Sequence, residues 1–284
     1  MYVIIWIEMV TSLVSVIITT KNEEKVIKKL LISFGRQTYK NWEIILVDNN
    51  STDKTVEIAK DMGVKVYNFG PERSAQRNFG ARIAKGEYLL FVDADMELSE
   101  NVLNECIEVC FKNPDIGGVA IPEKSKAIYF WEKVKAFERS FYNEKGDPIT
   151  DAARFFKKEV FQKAGGYDET ITGPEDWDLP ETIIELGFRI NRIKAHIYHR
   201  ERVPSPWILA KKKFYYALSS YKYLEKHNIS IVSSKTIYFL RPVFYRNWKK
   251  LLMHPVLTPA MIIMLSAELL GGGLGYILGR LRKL

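Results

Sequence analysis

The stretch Tyr88-Leu-Leu-Phe-Val-Asp-Ala-Asp-Met96 decides how we interpret the chain. Five apolar, aromatic or β-branched residues follow Gly86 closely and end at two carboxylates, Asp93 and Asp95. A run this short and apolar predicts a strand that is buried on both faces, and such a strand cannot contain two charged groups. We therefore expect Asp93 and Asp95 to lie just past its carboxyl end, where open α/β sheets bind their ligands.

The Asp-x-Asp tripeptide itself indicates a metal ion. Two carboxylates aimed at one point repel each other unless a cation lies between them. Oxygen ligands suit Mg²⁺ or Mn²⁺, which usually share their coordination with substrate phosphates. A polar turn with an N-capping Asp explains the tripeptide equally well, so the rest of the chain has to decide between the two.

Strands and helices alternate along the first 200 residues. The patterns predict strands at 14–18, 43–47, 64–67, 88–92, 119–121, 153–156 and 189–200, and helices at 26–34, 53–62, 73–84, 100–111, 124–142, 160–164 and 178–187. Such alternation is typical of βαβ units and predicts an α/β fold with a largely parallel, helix-covered sheet. The loops that contain Glu23, Asp48 and the Asp93/Asp95 pair then meet at one sheet edge, which favours a ligand site there.

Several protein classes are excluded by missing motifs. No Gly-x-Gly-x-x-Gly follows the first strand and no Gly-x-x-x-x-Gly-Lys-Ser/Thr is present, which argues against dinucleotide dehydrogenases and P-loop NTPases. Cys106 and Cys110 have no second pair and are interpreted as buried thiols of one helix. Met1–Ile7 lacks a basic region and is short for a secretory signal, so we interpret it as a leader or an extra edge strand.

A second acidic segment is Gly173-Pro-Glu-Asp-Trp-Asp-Leu-Pro180. Asp178 with Glu181 forms a capping pattern, which predicts a helix that begins there. Glu175 and Asp176 would then lie on the loop near the positive end of that helix, where a carboxylate stays ionised and can act as a base. The alternative is that both acids only serve the start of the helix.

His199 lies near the end of the last predicted strand. A lone histidine is usually structural, but this position makes His199 a candidate third metal ligand beside Asp93 and Asp95.

Charge is distributed unevenly along the chain. The net charge is +8, but residues 202–284 contain 14 Lys/Arg and two Asp/Glu, so this region carries +12 and residues 1–201 carry −4. A basic region of this kind indicates an anionic partner, either nucleic acid or membrane headgroups. Residues 206–226 read as a basic, aromatic amphipathic helix suited to a headgroup surface, although packing on the preceding α/β domain explains the pattern too.

Residues 255–279 are apolar, with Glu268 as their single charge, and are long enough to span a bilayer. Basic residues flank both ends, which is unfavourable for a simple span, and Gly271-Gly-Gly273 interrupts the run. We therefore predict a re-entrant hairpin or a pair of helices lying on the membrane, with homodimer packing as the soluble alternative. A membrane surface is the favoured partner, and no nucleic acid is expected.

The motifs together resemble family 2 glycosyltransferases of the GT-A fold. The resemblance covers about residues 13–200 and consists of Val16–Glu24, Val47–Asp53, Arg77-Asn78, Gly86–Asp95 and Gly165–Leu179, in the family's order. It implies a GT-A catalytic domain at 1–200, followed by a helical, membrane-associated region at 201–284. It also implies an inverting transfer of sugar from a nucleotide-sugar donor, of UDP or GDP type, with Mg²⁺ or Mn²⁺.

The resemblance also implies roles for individual residues. They are donor binding by Thr19, Thr20, Glu23, Asp48, Arg73, Arg77, Asp93 and Ala94; metal binding by Asp93, Asp95 and His199; the acceptor base at Asp176; and acceptor contacts at Glu175 and Trp177. Family members usually have Pro and an aromatic residue where this chain has Thr19 and Lys21, so the nucleotide base is left open. The Gln-x-x-Arg-Trp signature of processive synthases is absent, which favours transfer of a single sugar.

A membrane-held transferase suggests an acceptor that is lipid-linked, or else another glycan, at the cytoplasmic face of the cell membrane. Two other interpretations compete with this one. A non-catalytic nucleotide-sugar-binding scaffold is disfavoured by the intact acids. A nucleotidyltransferase should have a Gly-rich loop after the first strand, and it is disfavoured because Thr19–Glu24 contains no Gly.

Overall fold

The computed structural model describes residues 11–143, 146–147 and 151–282, so the interpretation of Met1–Ile7 lies outside the described residues. The chain forms two compact units. The first contains the residues up to Pro122 with Ala152–Glu169 and Asp176–His199; the second contains Glu123–Asp151, Thr170–Glu175 and Arg200–Leu284. The predicted catalytic and membrane-associated domains, divided at residue 200, stay a prediction.

Ten strands lie in the described residues: β1 (Val14–Thr20), β2 (Trp42–Asp48), β3 (Lys65–Asn68), β4 (Tyr88–Asp93), β5 (Met96–Leu98), β6 (Ile116–Ala120), β7 (Glu123–Lys126), β8 (Ala153–Lys157), β9 (Arg189–Arg192) and β10 (Ile197–Arg200). Seven of them form a sheet in the order β3-β2-β1-β4-β8-β6-β9. The strands β1 to β4 are parallel to one another, and β6 is parallel to β9. Only β8 is antiparallel to its neighbours in this sheet, as far as the described pairings go.

In the described part of the chain, twelve helical segments connect these strands and make up much of the second unit. The α-helices are α1 (Ile27–Gly35), α2 (Thr55–Asp61), α3 (Arg73–Ile83), α4 (Val102–Lys112), α5 (Phe130–Arg139), α6 (Lys158–Lys163), α7 (Glu175–Glu185), α8 (Pro206–Lys226), α9 (Pro242–Arg246), α10 (Trp248–Leu252) and α11 (Leu257–Leu281), and a 3₁₀ turn lies at Tyr238–Leu240.

Side chains alternate between the two faces of the large sheet. Leu90 and Val92 of β4 pack on one face in a cluster with residues of α1 and α4, and Leu89 and Phe91 pack on the other with residues of α3, α6 and α7. Strand β4 is therefore buried on both faces, as its apolar sequence predicts. The result is a three-layer α/β unit whose strand β4 has its one charged residue, Asp93, at its carboxyl end.

The chain between Arg189 and Arg200 forms two strands where one was predicted. The backbone N–H groups of Lys194 and Ala195 donate hydrogen bonds to Glu105 Oε2, at 2.8 and 2.9 Å, and this contact interrupts the strand. Strand β9 consequently stays in the large sheet, whereas β10 pairs antiparallel with β5, with His199 opposite Met96. This arrangement brings His199 back beside the segment that follows Asp95.

Helices form the larger part of the second unit. Ser205 accepts a hydrogen bond from Ile208 N at 3.3 Å and Pro206 occupies the first turn, which together define the start of α8. The apolar core of the unit contains residues of α5, α8, α9 and α11. Helix α8 therefore uses part of its apolar surface for packing within this unit.

Helix α11 is continuous over 25 residues, so the predicted interruption at Gly271–Gly273 and the re-entrant hairpin are wrong. The reason is the spacing of the glycines. A Cβ added at Gly271, Gly275 or Gly279 would lie 2.1–2.2 Å from a backbone carbonyl oxygen of α8. These glycines let two helix backbones approach closely, and the two helices run parallel because Gly271 and Gly279 lie against Ala210 and Leu218 in turn.

Substitution of Gly275 tests this close packing. Gly275→Ala is expected to lower the free energy of unfolding by about 1–3 kcal/mol, because its Cβ would lie 2.2 Å from the Phe214 carbonyl oxygen. Gly273→Ala is the matched control on the same helix, since a Cβ there meets nothing within 4 Å. It should instead stabilise the protein by up to about 1 kcal/mol, because Ala favours the helix. Denaturant unfolding of both variants measures the two changes in the free energy of unfolding, which should have opposite signs. Equal changes in the two variants would contradict the close packing of α8 and α11.

Candidate functional site

The polar ends of three parallel strands meet at one edge of the large sheet. Strand β1 lies between β2 and β4, with Thr20 opposite Asp48 and Thr19 opposite Asp93. The expectation that Asp48 and Asp93 reach the same edge is therefore confirmed. This is the edge at which parallel α/β sheets bind ligands.

Hydrogen bonds fix the loop after β2. Asp48 accepts hydrogen bonds from Thr20 Oγ1 at 2.8 Å, from Ser51 N at 2.7 Å and from Ser51 Oγ at 2.6 Å. Gln76, a buried residue of α3, donates to the carbonyl oxygens of Val47 at 2.7 Å and Thr20 at 3.2 Å. Because these groups are buried and mutually bonded, the ends of β1 and β2 form a pre-organised wall of the site.

Asp93 lies among three arginines. Its carboxylate is 3.2 Å from Arg77, 3.6 Å from Arg154 and 3.9 Å from Arg73. Burial by itself would raise the pKa of Asp93, but the guanidinium groups of Arg73, Arg77 and Arg154 outweigh it and hold the pKa well below its ordinary value. Asp93 is thus an ionised carboxylate whose charge is already compensated by cations of the chain.

Arg77 connects this carboxylate with the second acidic segment. Its side chain is 1% exposed, and it donates to Asp93 Oδ1 at 3.2 Å and to Asp176 Oδ1 at 2.6 Å. The guanidinium also lies over the ring of Tyr167, 4.9 Å from its centroid. Asp93 and Asp176, 83 positions apart in sequence, therefore bind one guanidinium group.

Asp95 and His199 form a separate pair. His199 Nε2 is 3.5 Å from Asp95 Oδ1, and both side chains are largely buried. Two donors this close can contact one divalent ion, because metal–ligand bonds of about 2.1 Å permit such a separation. In the part of the chain that the structure describes, no group of three His, Cys, Asp or Glu side chains converges to hold a metal. Asp95 and His199 fit two positions of a metal that takes its other ligands from substrate or water, whereas Asp93 faces arginines.

The remaining predicted site residues occupy different surroundings. Thr19, Thr20 and Ala94 are buried at the strand ends, and Glu23 is half-buried with its N–H donating to Thr55 Oγ1 at 2.7 Å. Helix α7 begins at Glu175, so Glu175 and Asp176 are its first residues, and the predicted start at Asp178 is wrong.

The two predicted acceptor residues flank Asp176 in sequence. Glu175 is buried and belongs to the second unit, whereas Trp177 is half-buried and belongs to the first. The acceptor roles of both residues stay predictions.

Sequence reasoning missed three residues: Gln76, Arg154 and Tyr167. Arg154 could have been found, because it lies within the apolar strand Ala153-Arg-Phe-Phe156 and a buried arginine requires a partner. Tyr167 follows a pair of glycines and gave no sequence signal of its contact with Arg77. Gln76 belongs to the polar face of a predicted helix, and its contacts arise only from the tertiary fold.

The fold and this sheet edge define an α/β protein with arginines and carboxylates clustered at the carboxyl ends of parallel strands. Residues 15–165 match the family described as Glycosyl transferase family 2, and the chain belongs to that family. This confirms the predicted family and enzyme class.

Relatives agree with this assignment. An uncharacterised glycosyltransferase of Methanocaldococcus jannaschii is 27% identical over 290 residues, which cover 92% of this chain and 95% of the relative. An uncharacterised glycosyltransferase of Haemophilus influenzae is 29% identical over 179 residues, which cover 59% of this chain. That match spans 60% of the relative's length.

Solved structures show the same fold. The mannosyltransferase PcManGT of Pyrobaculum calidifontis, in complex with GDP-Man and Mn²⁺, superposes with a TM-score of 0.56 at 20% identity, covering 89% of this chain and 73% of that one. TarS 1-349 of S. aureus, in complex with UDP, gives a TM-score of 0.55 at 17% identity, covering 95% and 91%. The predicted GT-A fold is thereby confirmed.

Proposed function

We propose that this protein is an inverting, metal-dependent glycosyltransferase. It moves one sugar from a UDP- or GDP-type donor to a hydroxyl or phosphate of an acceptor. The observation that carries the proposal is the sharing of Arg77 by Asp93 and Asp176. Because of this shared contact, the donor-binding strand end and the proposed base belong to one site.

The donor is held by the strand ends and the arginines. The nucleoside lies against the wall formed by Thr19, Thr20, Glu23, Asp48 and Ala94, and Asp93 receives the ribose. Arg73 is the most exposed of the three arginines around Asp93, with 37% of its side chain accessible, and it binds the diphosphate. Arg77 and Arg154 are buried and orient Asp93 for this task.

Asp95 and His199 would hold Mg²⁺ or Mn²⁺. The ion would supply positive charge to offset the negative charge that develops on the departing nucleoside diphosphate. Support comes from the half-buried Asp95–His199 pair and from the Mn²⁺ and GDP-Man of the Pyrobaculum neighbour.

Asp176 takes the proton of the acceptor as the acceptor oxygen attacks the anomeric carbon. Attack from the face opposite the diphosphate inverts the configuration, and the proposal requires no covalent intermediate with the enzyme. Asp176 is the second residue of α7, and Arg77 holds its carboxylate in place through a hydrogen bond of 2.6 Å. Trp177, which follows the base within the first unit, contributes to acceptor binding.

The acceptor is lipid-linked and is used at the cytoplasmic face of the cell membrane. Two properties of residues 202–284 support this part of the proposal: the charge of +12 and helix α11. Within the described residues, α11 is the one helix long and apolar enough to cross a membrane, with a mean hydropathy of 1.7 over an 18-residue stretch. Extraction that needs high salt instead of detergent would point to nucleic acid in place of lipid.

Donor binding tests the proposed function first. UDP-, GDP- and dTDP-sugars are screened by thermal shift with and without Mn²⁺, and one nucleotide is expected to raise Tm only when Mn²⁺ is present. Asp95→Ala should abolish this Mn²⁺-dependent shift and reduce sugar transfer by at least about 100-fold, since it removes a metal ligand.

Asp61→Ala is the matched control, because Asp61 is an exposed acid at the end of α2 in the same unit. It should behave as wild type. Donor binding without any transfer or donor hydrolysis would indicate the non-catalytic scaffold, and a Mn²⁺ shift retained by Asp95→Ala would contradict the metal assignment.

A further inference from the structure

Helix α11 has one face that is apolar and exposed along its whole length. The large side chains on this face are more than a third exposed and recur at helical spacing: Ile262, Ile263, Leu269, Leu270, Leu274, Ile277 and Leu281. No charged residue lies among them between Leu257 and Gly279 except Glu268, which is 2% exposed and lies on the opposite face. A patch of this length on a surface indicates an apolar partner.

The buried face of α11 is held in place by charge. Glu268 lies 2.9 Å from Lys135 of α5 and 3.5 Å from Lys213 of α8. Lys135 also lies 2.9 Å from Glu138, so these four side chains form a compensated network within the second unit. Separation of α11 from α5 and α8 would leave buried charges without compensation, so the helix does not leave this unit freely.

The contact with α8 argues against a transmembrane crossing. At the middle of α11, Gly271 and Gly275 lie directly against the backbone of α8 at Ala210 and Phe214. Between these two contacts α8 carries Lys211 and Lys212, which are both exposed. If α11 crossed a bilayer, it would carry these two ammonium groups into the hydrocarbon, where charged side chains are strongly disfavoured.

Basic residues lie at both ends of the apolar face. Arg246 and Lys249 are exposed shortly before α11, and Arg280 and Arg282 are exposed at its end. Cationic groups at both ends match the anionic headgroups of one membrane surface. If α11 crossed the membrane, the basic residues at one of its ends would lie on the non-cytoplasmic side, where Lys and Arg are disfavoured.

We propose that α11 inserts its exposed face into one leaflet of an anionic lipid bilayer, parallel to the membrane plane, with both helix ends on the same side. The inference deepens the proposed function, since it rests on the membrane location and names how the transferase is held there. Membrane insertion does not depend on sugar transfer, so an experiment can find loss of lipid binding without loss of transferase activity, or the reverse.

The first test is flotation of the full-length protein with vesicles of phosphatidylglycerol and phosphatidylcholine. We expect wild type to float, and the double variant Leu270→Glu/Leu274→Glu to show at least about a tenfold loss of vesicle binding. These side chains are 68% and 62% exposed, so their replacement should leave Tm unchanged. Ile32→Glu on α1, at a side chain 42% exposed, is the matched control and should float as wild type does.

The second test measures topology with a membrane-impermeant maleimide. Pro255→Cys and Arg282→Cys are introduced separately, and inside-out membranes of expressing cells are labelled. The native thiols do not compete, because Cys106 and Cys110 are buried and burial raises the pKa of Cys110 to about 12. Labelling of both variants from the cytoplasmic side is expected.

Three results would overturn the proposal. Protection of one end until the membrane is permeabilised would establish a crossing. Failure of wild type to float would remove the lipid partner. A dimer in solution that dissociates in Leu270→Glu/Leu274→Glu, together with absence of flotation, would assign the face to a second copy of the chain.

Discussion

Asp176→Asn is expected to lower turnover by about 10²–10⁴-fold, the range by which a positioned base accelerates a reaction. Asparagine keeps the size of the side chain but cannot accept the proton of the acceptor. Donor affinity should change by no more than about twofold, because a base that acts in the transition state contributes little to ground-state binding. Donor titration by calorimetry and release of nucleoside diphosphate are the two measurements.

Glu185→Gln is the control for this substitution. It removes one carboxylate from the same helix, at an exposed position in its last turn, and should retain turnover. If Asp176→Asn kept its turnover, the base would have to be another group. If it lost donor affinity as well, Asp176 would have a role in donor binding.

Arg77→Met is expected to reduce both stability and turnover. The change leaves Asp93 and Asp176, whose side chains are only 22% and 25% exposed, without their shared cation. Removal of one partner from a buried ion pair costs about 3–5 kcal/mol, and the partial exposure places this case near the lower end. We expect a fall in Tm of several degrees, weaker donor binding and a turnover reduced at least about 100-fold, because the base loses its orientation.

Arg77→Lys separates charge from geometry, since lysine restores the cation but cannot bind two carboxylates through a planar fork. It should recover most of the stability and little of the turnover. Arg82→Met is the control, because Arg82 is an exposed residue of the same helix. Full turnover in Arg77→Lys would show that the bridge contributes only charge.

Much of the fold follows from local patterns that the sequence displays directly. Apolar runs that end at Asp48 and Asp93 are read correctly as parallel strands, because the buried residues before each Asp are uncharged. The beginning of α7 is read wrongly, because Asp178 and Glu181 resemble a cap although the helix already contains Glu175. A capping pattern shows only where a helix can begin, and tertiary packing decides at which residue it does begin.

The contacts within the site are harder to predict. Arg154 and Tyr167 reach Asp93 and Arg77 from segments 61 and 90 positions away, as their residue numbers give, and periodicity contains no information on such pairs. The continuity of α11 is a similar case. The three consecutive glycines Gly271–Gly273 suggest a break from propensity alone, but Gly271 and Gly275 supply the close approach to α8 that stabilises the helix instead.

The shared guanidinium has a consequence for protein engineering. Redesign of the pocket for a different activated sugar would begin with residues around Asp93, since that carboxylate meets the donor in our proposal. Arg77 touches Asp176 at the same time, so a change near Asp93 that moves Arg77 also disturbs the proposed proton acceptor. Such a change would alter donor selectivity and turnover together, and libraries that vary residues around Asp93 should therefore vary the neighbourhood of Asp176 as well.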